Sequence, residues 1–190
     1  MHYEYSKLLK KRVSKICFGS WSLGGATIKN PSYKKMTSKK CTSILSESIK
    51  IGINFFDTSP ACGKSEKILG KFLQNKNREN FVIATKIGCE NFQLPLSFDL
   101  KNVKKQIKHS LKKLKTDYID IIKFHSPSSL NQVKKSLSYL KFLKKKKIIR
   151  SIGISLKNPL DYKKFSKLNF DFYQLNFNLI DQRASNIKKK

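Results

Sequence analysis

Asp57, Lys86 and His125 each close a short apolar run, in the strings INFFD, FVIATK and IDIIKFH. Ser155 closes SIGIS in the same way, and Gln174 sits inside FYQLNF. An acid, an amine and an imidazole drawn to one place suit proton transfer or the binding of an anion. One polar residue at the end of an apolar run says little. A series of them at equivalent positions reads as a site, provided the runs are parallel strands whose C-terminal ends share one mouth.

Other stretches fail sharper tests. Cys62-Gly63-Lys64-Ser65 resembles the end of a phosphate-binding loop, but Thr58 stands where GxxxxGK[ST] needs its first glycine. The run from Gly19 to Gly25 lacks the GxGxxG order of a dinucleotide fingerprint. Gly19 would leave space for a flat substrate or cofactor ring, with Trp21 as an apolar wall. Cys17, Cys41, Cys62 and Cys89 form no CxxC pair, and His2, His109 and His125 are scattered, so neither a metal site nor a disulfide framework is expected. Cys17 and Cys41 read as small buried hydrophobes.

The elements that must position these groups are legible as an alternation. Ile16–Gly19, Ile53–Phe56, Phe81–Thr85, Tyr118–Phe124, Ile148–Ile154 and Phe172–Phe177 are nearly continuous apolar runs, the habit of parallel strands covered on both faces. Between most of them lie segments of helical spacing: 38–51 with Cys41, Ile44, Leu45 and Ile49 on one side, 101–114 with Val103, Ile107 and Leu111, and 131–147 with Val133, Leu137 and Leu140. Ser65 and Glu66 signal one helix start, Asp99 another, and Asp161 a short helix ending near Leu168. Asn178–Lys190 leaves room for a turn and one short helix. Six strand and helix repeats in 190 residues, with no linker, predict a single α/β domain spanning residues 1–190, either an open doubly wound sheet or a barrel.

Composition narrows the function classes. A formal charge of +29 invites a polyanion-binding reading. Only Arg12, Arg78, Arg150 and Arg183 among 41 basic residues are arginine, however, and arginine is the favoured group for bidentate phosphate and base-edge contacts. The lysines spread over nearly every helical segment, so no specific nucleic-acid partner is expected. Nor is a membrane: no apolar stretch approaches the roughly 18 residues of a spanning helix. The N-terminal MHYEYSKLLKKRVSK is basic but leads into no signal-like apolar core, so a soluble protein of the cytoplasm is expected.

Taken together, ICFGSWSLGG, GINFFDTSPACGKSEKILGKFL, FVIATKIG, SLKKLKTDYIDIIKFHSP, IIRSIGIS and YQLNFNLIDQR resemble the aldo-keto reductase family, in order and spacing, over essentially the whole chain. The resemblance implies a TIM-type (β/α)8 barrel, here incomplete with about six parallel strands, and a nicotinamide cofactor, NADP(H), bound without a Rossmann domain. It implies NADPH-dependent reduction of an aldehyde or ketone. By resemblance, Asp57 matches the buried aspartate, Lys86 its lysine partner and His125 the residue that orients the substrate carbonyl. Ser155 and Gln174 match positions that hold the nicotinamide carboxamide, although Leu156 stands where the family commonly has Asn.

Two departures weaken the implied activity. The family's proton donor is the tyrosine of a YG pair, and here that pair is Cys62-Gly63. A thiol is acidic enough but shorter by an aromatic ring, so it would need a bridging water or a shifted substrate; alternatively Lys86 stabilises it as a thiolate, a nucleophile that no longer donates a proton. The chain also supplies about six strands where a barrel has eight, which removes the part that in the family grips the cofactor and leaves open edges. Weak or lost NADP(H) binding, a weakened oxidoreductase acting on a small carbonyl substrate, or an inactive barrel remnant serving as an interaction module all follow. Self-association or a complementing chain at the open edges is expected. Non-specific polyanion binding is the remaining reading.

Overall fold

A computed structural model describes residues 1–25, 34 and 36–187. It opens with an antiparallel hairpin, β1 (Tyr3–Ser6) and β2 (Lys11–Ser14). Six strands follow: β3 (Phe18–Gly19), β4 (Phe55–Asp57), β5 (Val82–Ile87), β6 (Ile119–His125), β7 (Ile149–Leu156) and β8 (Phe172–Leu175). They pair in sequence order, every pair parallel. The sheet curves as an open half-barrel with β3 and β8 at its two edges. Between the strands run α1 (Ser38–Lys50), α2 (Ser65–Leu73), α3 (Leu100–Leu114), α4 (Leu130–Lys145) and the short α5 (Tyr162–Phe165). None of the described helices is long and apolar enough to cross a membrane.

Helix starts follow local chemistry. Asp99 accepts from the Asn102 amide, as its position ahead of an apolar period implies. Ser129 and Gln132 close a reciprocal capping box on α4. The expected strand at Ile16 begins two residues later, with Ile16 60% exposed, because the edge has no neighbour to cover it. No helix forms after β8 as far as Ile187: the tail runs through turns, and 188–190 lie outside the described residues.

The two faces of the sheet bury different things. Ile83, Ile87, Ile122, Phe124, Ile152 and Ile154 point outward and pack with Leu45, Leu69, Val103, Leu140 and Phe165 of the helices in the main core. Alternation then turns Val82 and Ala84 of β5 and Ile121 of β6 inward. Leu9, from the hairpin turn, packs on these three with Val13, Phe55 and Phe172, forming an apolar floor inside the curved sheet. Below that floor Asp120, fully buried, meets Arg78 at 2.6 Å, Arg150 at 3.3 Å and Lys11 at 3.5 Å. Three cations from separate segments thus tie the N-terminal ends of the strands together. Asp57, Lys86 and His125 lie at the other, C-terminal end of the strands.

Candidate active site

Above the floor the inward positions become polar. Asp57 is the last residue of β4, and Gly19 is its register partner on β3. Lys86 of β5 pairs with Lys123 of β6, and His125, Ser155 and Gln174 stand in one row across β6, β7 and β8. Lys86 Nζ donates to Asp57 Oδ2 at 2.8 Å and to the Thr58 carbonyl at 3.0 Å. The strand end carrying Asp57 is held by a buried hydroxyl cluster. Ser20 Oγ donates to the Asp57 carbonyl at 2.9 Å, and Ser65 Oγ lies 2.6 Å from Ser20 Oγ and 2.8 Å from Thr58 Oγ1.

Sequence reasoning missed the most buried charge at this level. Lys123 Nζ donates to Asp57 Oδ1 at 2.6 Å and to Gln174 Oε1 at 2.6 Å, with its side chain only 6% exposed. Its signal was available: in IDIIKFH, period-two alternation puts Lys123 on the same face as His125. Cys17, read as a core filler, also reaches this cluster and is only partly buried. Gln174 is engaged at both ends of its amide, since Nε2 also donates to Asp57 Oδ2 at 3.3 Å.

One carboxylate therefore faces two buried amines. Burial works to raise the Asp57 pKa, but the ammonium groups of Lys86 and Lys123 and their hydrogen bonds outweigh it and hold the carboxyl below the usual range. Burial, then repulsion from Lys86, brings Lys123 down to about 8 against the attraction of Asp57. Burial pushes the Cys17 thiol up to about 12.

Cys62 is 7% exposed, in the loop before α2. Burial pushes its thiol up to about 11, against the pull of Lys86 and with the help of Asp57 and Glu66. Of the two states the sequence leaves open for Cys62, burial favours the thiol, since desolvation of the anion outweighs the attraction of an ammonium already paired with Asp57. The glycines around this loop serve packing. A Cβ on Gly24 would lie 1.8 Å from the Cys62 carbonyl oxygen, so Gly24 makes room for this loop. Gly63 has a φ of +60°, and a Cβ there would lie 2.6 Å from the Gly24 carbonyl oxygen. Gly19 differs, with nothing within 4 Å of the Cβ position.

His125 borders a cavity of about 590 Å³ at the mouth, shared with Trp21, Phe92, Ser155 and Asn176. Trp21 and Phe92 lie 5.5 Å apart between ring centroids, and Phe92 is edge-on to His125 at 6.1 Å. Asp57, Lys86, His125, Ser155 and Gln174 thus stand at the C-terminal end of one sheet, with Gly19 on its edge strand and Trp21 beside the cavity. The arrangement offers an apolar wall, a hydrogen-bonding imidazole and a charged layer beneath. Among the described residues, no three His, Cys, Asp or Glu side chains converge to hold a metal.

Comparison with known proteins agrees with this fold. Residues 15–189 match the Aldo/keto reductase family. The chain is 33% identical over 178 residues to the uncharacterized oxidoreductase YqkF of Bacillus subtilis, covering 90% of this chain and 54% of that protein. It is 34% identical over 151 residues to the L-galactose dehydrogenase of Arabidopsis thaliana, covering 76% and 45%. Against the solved holo form of an aldo-keto reductase from Bacillus halodurans it superposes with a TM-score of 0.82 at 26% identity, over 97% of this chain and 60% of that one. The chain thus spans about half the length of the curated relatives it matches. A parallel half-barrel with Asp57 and Lys86 paired at its mouth, matched from residue 15 to residue 189, belongs to the aldo-keto reductase family.

Proposed function

We propose that the chain acts as an aldo-keto-reductase-like oxidoreductase on a small aldehyde or ketone with NADP(H), and that Cys62 weakens its turnover. The observation that carries this reading is the 2.8 Å pair between Lys86 and Asp57 beneath a cavity lined by His125, Trp21 and Ser155. A bound nicotinamide would supply the hydride. The residues fit such a ring: Gly19 leaves open space at the strand edge, and Trp21 and Phe92 give the mouth an apolar side. Ser155 would hold the carboxamide, and Gln174 would join it only by releasing Lys123 and Asp57. His125 would donate to the carbonyl oxygen and fix its direction. The preference for NADP(H) rests on family resemblance.

The remaining requirement is a proton for the nascent alkoxide, delivered from within about 3.2 Å. Cys62 keeps its proton at neutral pH, but its side chain is short and 7% exposed. Loss of a placed general acid removes roughly 10²–10⁴-fold of rate. The test compares the native chain and Cys62→Tyr, each with and without a grafted C-terminal segment carrying two further strands. NADPH oxidation with a short aldehyde and direct cofactor titration are the readouts. We expect little turnover from the native chain, no rescue by Cys62→Tyr alone, and activity when both changes are present. Strong turnover by the native chain would overturn the weakening, and absence of NADPH binding in all four proteins would overturn the oxidoreductase reading.

A second reading, an inactive barrel acting as an interaction module, is favoured by the open edges at β3 and β8. NADPH binding by the native chain separates the two.

A further inference from the structure

We propose that Lys123 is an imine-forming nucleophile, and that the chain captures small aldehydes covalently on its Nζ without any nicotinamide. The inference is independent of carbonyl reduction and begins with the count of charges. Asp57 accepts from Lys86 and Lys123 at 2.8 and 2.6 Å, so two amines share one carboxylate in a layer nearly closed to water. The surplus positive charge is relieved when one amine gives up its proton. Lys123 is the amine so placed: its side chain is 6% exposed against 10% for Lys86.

The hydrogen bonds oppose loss of the proton, but they are kept once it has gone. A neutral amine has two N–H donors and one lone pair, and the two acceptors of Lys123 are Asp57 Oδ1 and Gln174 Oε1, both at 2.6 Å. Both donors are then used and the lone pair is left for an electrophile. The stem is fitted to its place as well. A Cβ on Gly153 of β7 would come 3.1 Å from Lys123 Cγ, so the absence of a side chain at 153 admits the lysine chain into the layer. Burial and the neighbouring Lys86 bring Lys123 down to about 8, which leaves on the order of 10² times more free amine at pH 7 than an ordinary lysine has.

Access is from the open side of the sheet. Gln174, which covers Nζ, is exposed on the edge strand β8, and Asp57 beside it is 15% exposed. Lys123 shares a strand face with His125, two residues on, which borders the mouth cavity. A short aliphatic aldehyde is the ligand class this cover admits. In the reaction the Nζ lone pair adds to the carbonyl carbon, the C–O π pair moves to oxygen, and the oxygen takes the proton released by nitrogen. Loss of that hydroxyl with the second N–H proton leaves a C=N bond. One amine and one aldehyde give one imine and one water, with no change in oxidation state.

The experiment uses the intact chain, propanal and sodium cyanoborohydride, with no nicotinamide, and quantifies N-propyl groups at each lysine by mass spectrometry of a chymotryptic digest. At pH 7 we expect Lys123 to be labelled at least tenfold faster than Lys86 and the exposed lysines. Its rate should level off above about pH 8, where Asp57, Lys86 and Cys17 are the charged or titratable groups facing it, while the exposed lysines keep accelerating. Gln174→Ala should raise the Lys123 rate, and Lys123→Arg should remove the fast site while leaving the slow ones. Labelling of Lys123 no faster than the exposed lysines at any pH would overturn the proposal. The native chain alone decides this, whatever the folding of the variants.

Discussion

Asp57 is the residue on which the polar layer balances, and its neighbours make its removal informative. Asp57→Asn would leave Lys86 and Lys123 buried with no counter-charge, and removing one partner of a buried pair typically costs about 3–5 kcal/mol. We expect that loss in urea unfolding at pH 7, with a part recovered by adding Lys123→Met, which deletes the surplus ammonium. Equal destabilisation of the single and double variants would contradict the charge count. The pH dependence has two arms of known sign. Asp57 has its folded pKa lowered, so its contribution is present above the ordinary carboxylate range and is lost as pH falls through the folded value. Lys123 is lowered to about 8, so the folded state binds fewer protons than the unfolded one from about pH 8 to about 10.4, and stability rises across that window. Lys123→Met should abolish that rise, read as the difference between the two proteins' unfolding curves. The sequence made Asp57, Lys86 and His125 visible because each ends an apolar run. Lys123 was hidden because it lies inside one, where a charged residue looks like an interruption until the alternation is followed to His125. The state of Cys62 was hidden for another reason: whether burial or Lys86 decides its proton depends on desolvation, which spacing does not carry.

Helix and strand contacts set the precision of the site, and glycines mark where backbones touch. Gly70 lies within α2 (Ser65–Leu73), where replacing glycine by alanine ordinarily stabilises a helix by about 1 kcal/mol. Here the sign should reverse. A Cβ at 70 would sit 2.2 Å from the Lys113 carbonyl oxygen and 2.6 Å from the Leu114 carbonyl carbon, both backbone atoms at the end of α3. The two helices must separate, so Gly70→Ala is expected to destabilise by about 1–3 kcal/mol. A gain in the denaturation midpoint would show that the helices are not held at this distance. The six barrel strands and the five α-helices of the described residues were readable from apolar runs, helical spacing and caps such as Asp99. The hairpin of β1 and β2 was not. Its turn lacks the Asn-Gly or Asp-Gly signature, with Lys10 instead taking a φ of +53°, and its strands carry charges on their exposed face. The packing of Leu9 on Val82, Ala84 and Ile121 and the reach of Lys11 to Asp120 show what the segment does.

Two opposing forces act on the whole molecule, and salt distinguishes them. The edges β3 and β8 present unpaired backbone groups, and beyond β8 Phe177, Leu179 and Ile180 are 63%, 93% and 98% exposed. Both features favour pairing of one chain with another. A formal charge of +29 works against it, since two like-charged chains repel over a Debye length of about 10 Å at 0.1 M ionic strength. Salt screens the repulsion and leaves the apolar attraction, so self-association should strengthen as sodium chloride rises from about 20 to about 300 mM. Binding to a polyanion such as heparin must weaken over the same range, because each contact releases counterions that salt returns. Sedimentation velocity across a concentration series at both salt levels reads the first, and a heparin column reads the second. Leu179→Glu with Ile180→Glu should lower the association by removing the apolar contact while leaving heparin retention nearly as strong, since two charges change little in +29. A chain that stays monomeric at every concentration and salt level would mean that neither the edges nor the apolar tail recruits a second copy. Association that dissolves in salt would mean that contacts between unlike charges, rather than the open side of the half-barrel, bring the chains together.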